Sequence, residues 1–259
     1  LTFWREFGAV LKEGLTDFSA DRDKMAELML FDSTATDGET KVSLADYVQR
    51  MPVQQKDIYY LIGDDRARLA GSPYLEKCRA EGFEVLLLTD SVDEWAVNAL
   101  GEYEGRKLTA VDRGDFEAED ENEDPEKKET EARFEDLCKT LGTKIDEVKS
   151  VRLSSRLAES AACLVADEGD PGANMERLLK KMGRGEEMPE AKRILELNAA
   201  HPAVEALQAL HKESPDDPRV EDYARLLYDQ AVIAEGSTVK DPAAMAKRIN
   251  ALMARDADK

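Results

Sequence analysis

Asp90, Asp93 and Glu94 follow directly on the apolar run Phe83–Leu88. Carboxylates so closely spaced at the end of a buried strand could hold a magnesium ion, and ligands of open α/β sheets bind at that edge. The same residues also suit a helix start. Asp90 or Ser91 would cap it, and Asp93 and Glu94 would face the positive end of its dipole. Capping is the simpler account; an α/β enzyme with a metal site at Asp90, Asp93 and Glu94 is the alternative. Trp95 lies in the first turn of that helix, near Asn98. A buried indole needs a partner for its N–H, whereas an exposed one is a contact anchor, and the sequence leaves both open.

Other chemistry is sparse. There is no nucleophile triad, phosphate-cradling loop or dinucleotide fingerprint. His201 and His211 have no carboxylate, Cys or second His at ligand spacing, so no metal-binding or catalytic residue is assigned to them. Cys78, Cys138 and Cys163 are far apart and form no CxxC pair, which fits buried thiols in a reducing compartment. The formal charge of −20 repels phosphate backbones and anionic lipid, so neither nucleic acid nor membrane is expected as a partner. No run of 18 apolar residues and no signal peptide is present, and a cytoplasmic location is expected.

A second candidate is Asn174–Met182, where Met175, Leu178, Leu179 and Met182 share one helical face. Glycines flank it at 169, 172, 183 and 185. A methionine-rich face adapts to irregular partners because the thioether is unbranched and polarizable. An ordinary amphipathic core helix has the same pattern.

The elements that must position these residues alternate in type. The spacing predicts helices over 2–13 and 21–31, with Phe3, Trp4, Phe7, Val10, Leu11 and Leu15 as the first stripe. Ser43 caps a helix that Pro52 stops, and an interrupted helix spans 69–82. Strands are expected at Ile58–Ile62, Phe83–Leu88 and Lys107–Val111. Strands separated by helices imply a parallel sheet with helical cover. Asp115–Glu131 is too acidic to bury a core and reads as a solvated linker. Beyond it, strands are expected at 147–153, 161–166 and 193–197, with helices over 126–141 and from Pro202 to Lys212. The fold class is α/β, a small three-layer αβα subdomain followed by an α+β domain ending in a helical hairpin. An apolar helix at the very start suggests a piece of a larger protein.

That terminal hairpin speaks to assembly. Val220, Tyr223, Ala224, Leu227, Ala231 and Ala234 form one stripe; Met245, Ile249, Leu252 and Met253 form the next. Two copies packing these faces would make a four-helix bundle with two-fold symmetry. Val220, Tyr223, Leu227, Ala231, Met245, Ile249, Leu252 and Met253 are the expected dimer interface.

The chain resembles the heat-shock protein 90 chaperones, in particular their bacterial HtpG type. The resemblance is carried by Leu30–Thr34 (LFDST), Ser43–Met51 (SLADYVQRM), Gln55–Gly63 (QKDIYYLIG), Ser72-Pro73, Glu84–Leu86 and Thr89–Trp95 (TDSVDEW). Weaker echoes follow at Arg193–Asn198, His201-Pro202 and Leu226–Ala231. It implies that residues 1–112 correspond to the rear of the family's middle domain, 113–127 to an acidic linker, and 128–259 to its C-terminal dimerisation domain. It also implies a chaperone that homodimerises and binds unfolded clients. ATP and magnesium would act only in the intact protein, through an N-terminal domain, so this piece would need no cofactor and would not itself be an enzyme. By matching position, client contacts would come from Glu94, Trp95, Asn98, Met175, Leu178 and Leu179. Pro171 departs from the family pattern, where a relative carries a further Met, so the second helix is expected to begin later. The closing Ala257-Asp258-Lys259 lacks the tail by which eukaryotic relatives recruit tetratricopeptide co-chaperones.

Overall fold

The computed structural model describes residues 2–15, 21–114, 116, 125–167, 169–184 and 191–257. It divides into two compact units, Leu1–Asp112 with Asn174–Met188, and Arg113–Ala173 with Pro189–Lys259. Most of the expected acidic linker lies outside the described residues.

The first unit is built on strands β1 (Leu30–Ser33), β2 (Val42–Ser43), β3 (Ile58–Ile62), β4 (Val85–Leu88), β5 (Glu102–Tyr103) and β6 (Arg106–Ala110), in the order β2-β1-β4-β3-β6-β5. Its helices are α1 (Thr2–Gly14), α2 (Arg22–Ala26), α3 (Leu44–Arg50), α4 (Arg66–Ala70), α5 (Glu76–Ala80) and α6 (Asp93–Leu100). Pairing of β3 with β4 and β6 is parallel, as expected, but the sheet is mixed: β1 runs antiparallel to β4, and β5 to β6. The segment expected to continue a helix to Phe31 instead leaves α2 early and enters β1. The free edge of β4 decides this, because an unpaired buried ladder is costly. Asp32 pairs with Leu87, and Thr34 closes the ladder with its N–H on the Val85 carbonyl at 2.9 Å.

Both faces of the sheet are covered. Ile58, Leu86 and Leu88 cluster with Leu44, Tyr47, Ala96 and Val97 from α3 and α6. Val85 and Leu87 alternate to the opposite face and are equally buried, with α4 against β4. Ser43 caps α3 in a reciprocal capping box with Asp46. Tyr47 then ties α3 to the sheet: its hydroxyl accepts from the Tyr59 N–H at 2.9 Å and from Gln55 Nε2 at 2.7 Å, and donates to the Glu84 carbonyl.

The second unit carries β7 (Val148–Leu153), β8 (Ala162–Val165) and β9 (Arg193–Leu197) in the order β7-β9-β8, parallel on one side and antiparallel on the other. Helices α7 (Pro125–Lys144), α9 (Pro202–Glu213) and α10 (Pro218–Glu235) close over it, and α11 (Pro242–Ala257) follows. The core joins Phe134, Leu137 and Leu141 of α7 to Leu164, Leu195, Leu197 and Val204. Between α7 and α10, α8 (Ala173–Lys181) is the exception, because nearly all of it belongs to the first unit.

The expected dimer stripe on α10 is largely covered within its own chain. Val220, Leu227 and Ala231 are buried in the core of their own unit, where α10 supplies the cover that β8 needs. Tyr223 and Met245 are half-buried against the same cluster. Ile249, Leu252 and Met253 remain exposed, together with Ile233, and no described residue of α11 is buried. The first stripe needs a similar revision: Phe3, Phe7 and Val10 are exposed, whereas Trp4, Leu11 and Leu15 face inward.

Candidate functional site

The start of α6 is set by a cation. Lys12 of α1 places its ammonium 2.7 Å from Asp90 Oδ2 and 2.6 Å from Asp93 Oδ1. The Trp4 and Phe31 rings lie 6.0 and 5.1 Å from that nitrogen. Burial pushes the Asp93 carboxyl above its ordinary range, against the pull of Lys12. Neither Asp90 nor Ser91 caps α6, contrary to expectation: Val92 stands at the cap without a side-chain bond, and Asp93 Oδ2 accepts from the Asp90 N–H at 2.9 Å. The ammonium of Lys12 takes the place between Asp90 and Asp93 that a metal would need, and Glu94 is turned elsewhere. Among the described residues no cluster of three or more His, Cys, Asp or Glu could hold a metal ion.

One residue of α6, Glu94, meets α8 directly. Glu94 is buried, and its Oε1 accepts from Asn174 Nδ2 at 3.0 Å. Asn98 is exposed but folds its amide back on the Glu94 carbonyl at 2.6 Å. Trp95 is 37 % exposed, which resolves the choice left open by the sequence in favour of an accessible indole. On α8, Met175, Leu178 and Leu179 are half-buried and Met182 is exposed. The helix begins at Ala173, two residues after Pro171. Lys181 Nζ lies 3.2 Å and Arg177 Nε 3.9 Å from the Asp64 carboxylate beyond β3. Exposed pairs of this kind contribute about 0–1 kcal/mol each, so they orient α8 more than they fasten it.

The arrangement thus brings Glu94, Trp95, Asn98, Met175, Leu178 and Leu179 into one unit. It offers an aromatic side chain, an adaptable thioether–leucine face and a rim of charge. Lys12, Asn174 and Asp64 escaped the sequence reading. Lys12 alone carried a signal, being a charge in line with Gly8 and Leu15 on the inward side of α1.

A buried charge network in the second unit was also not foreseen. Glu196 of β9 accepts from Arg156 Nε at 2.8 Å, Arg152 Nη2 at 2.7 Å and Ser154 Oγ at 2.9 Å. Burial opposes its ionisation, but Arg156 and Arg152 prevail and hold the carboxyl below its ordinary range. Arg156 also donates to the Arg113 carbonyl at 2.8 Å and lies over the Phe116 ring.

Comparison with known proteins gives a single family. The profile of the Hsp90 protein family matches residues 1–259. Chaperone protein HtpG of Geobacter sulfurreducens is 49 % identical over 99 % of this chain, and that of Geobacter metallireducens 47 % over the same share. The Myxococcus xanthus protein of that name is 45 % identical over 98 % of the chain. The chain spans about 40 % of the length of these relatives. A whole-chain family match and identities of this size leave one assignment: the chain belongs to the Hsp90 family of chaperones, in its bacterial HtpG branch.

Proposed function

We propose that this chain is the client-holding and dimerising part of an ATP-dependent chaperone. The observation that carries this is an exposed indole, Trp95, in the same compact unit as the half-buried face of Met175, Leu178 and Leu179. An unfolded polypeptide offers irregular apolar segments, and such a surface takes them without covalent chemistry. Residues 1–112 act as the rear of a middle domain and 128–259 as the dimerisation domain. The segment 113–127 is the acidic spacer.

Dimerisation is assigned to α11, through Ile249, Leu252 and Met253, joined by Ile233 of α10. These are apolar, exposed and on the terminal hairpin. A two-fold pair of hairpins would bury about 1,200–2,000 Å² if it matched ordinary stable interfaces. Two client faces in one dimer raise the effective concentration for a client that touches both. Nucleotide hydrolysis is assigned to parts of the relatives that this chain does not span, and the working location is the cytoplasm.

The test is an anisotropy titration of a labelled, permanently unfolded protein with the chain and with Trp95→Asp. The reading expects weaker binding by the variant at an unchanged thermal midpoint. Equal affinity would remove Trp95 from the binding surface.

A further inference from the structure

Polar contacts tie α8 to its own unit. The hydrophobic clusters around Tyr47 and Phe134 take in none of Met175, Leu178 or Leu179. Among those polar contacts are Asn174 on Glu94, and Arg177 and Lys181 on Asp64. Asp64 and Lys181 are both more than half exposed, so salt screens their attraction. Charge also sorts by element. Among its described residues α8 carries Arg177, Lys180 and Lys181 against Glu176, and the groups it meets include Asp64 and Glu94.

We propose that Asp64 and Asn174 are positioning residues that hold α8 in a resting pose through a polar latch, and that opening this latch presents the Met175–Leu178–Leu179 face to a client. The proposal rests on the client-binding reading and deepens it. It also gives Glu94 a different part, since the carboxylate is buried and engaged by Asn174 and so holds α8 before it can meet a client. Contacts of this kind make a suitable latch. The exposed ion pairs on Asp64 each shift the docked equilibrium by less than about fivefold, and the Asn174 bond to the buried Glu94 carboxylate is the stronger hold, so loosening these contacts lets apolar contact from a client tip α8.

The experiment uses the whole chain with Asp64→Asn, Asn174→Ala, the double variant and Asp64→Glu. Hydrogen exchange is followed in the peptide covering 174–182. Exchange should quicken severalfold in each of the first two variants and more in the double. Raising salt from low to about 0.5 M should quicken the wild type but not the double variant. Asp64→Glu should restore the wild-type rate, which a general loss of stability would not allow. Affinity for a reduced, carboxymethylated unfolded protein should rise severalfold in the double variant. Unchanged exchange in all variants overturns the latch. Faster exchange with equal or weaker client affinity overturns its gating role. If the wild-type chain binds no unfolded protein at all, the functional reading fails, while the exchange data still decide the latch.

Discussion

The ammonium of Lys12 stands 2.6 Å from Asp93 Oδ1, and both side chains are closed off from solvent. This pair joins the first helix of the unit to the helix that bears Trp95. Removing one partner leaves an uncompensated buried charge, so Lys12→Met should cost about 3–5 kcal/mol. Lys12→Met with Asp93→Asn should recover part of that loss, because no unpaired carboxylate remains. Urea unfolding followed by tryptophan fluorescence reads both. A single variant as stable as the wild type would mean that Asp93 is neutral without Lys12.

Tyr47→Phe tests the tie between α3 and the sheet. The change takes the hydroxyl acceptor from the buried Tyr59 N–H and one of two acceptors from the Gln55 amide, which keeps the Asp57 carbonyl. The expected loss is about 1–3 kcal/mol, with the chain still folded. Denaturation followed by circular dichroism measures it, and a neutral result would mean that water replaces the hydroxyl.

Glu196 sets an acid limb in the stability of the second unit. Its folded carboxyl lies below the ordinary value of 4.5. The unfolded chain therefore binds the proton first as pH falls. The stabilisation is fully present above that ordinary value and is lost as pH drops through the depressed folded one. Glu196→Gln should be less stable at neutral pH, with the buried Arg156 deprived of its carboxylate, and should lose less on further acidification from about pH 5 to pH 3. Urea midpoints across that range would show parallel curves for wild type and variant if the network had no part in acid sensitivity.

The helical hairpin yields a separate expectation. Leu252→Glu with Ile249→Glu places charge on the exposed face of α11 and should give monomers with an intact second unit. Val220→Ala acts in the core, and should lower stability by about 0.5–3 kcal/mol without first changing molar mass. Sedimentation equilibrium separates these. A dimer that survives both glutamates would put the interface elsewhere.

Local signals are legible where backbone chemistry is local. Ile58–Ile62 and Arg193–Leu197 read as strands to the residue, and Ser43 and Pro202 mark helix starts that the structure shares. Two of the departures have one cause. The hydrophobic pattern around Met25 and Leu28 continues a helix on paper, but the β4 edge claims Leu30–Ser33. The Val220 stripe says only that α10 has an apolar face; whether its own sheet or a second copy covers that face is a question of tertiary supply. At the site, Trp95 and the Met175 face are visible as residue types. Lys12, Asn174 and Asp64 are not, since what matters about each is a partner dozens of positions away.

The proposed client surface is made by Trp95 and the apolar side of α8. Methyl-labelled methionine NMR tests it without any substitution. On adding a permanently unfolded protein, the Met175 and Met182 methyl signals should shift or broaden, while Met29, fully buried beneath the sheet, should stay in place. Binding in which Met175 and Met182 remain unmoved would contradict the account.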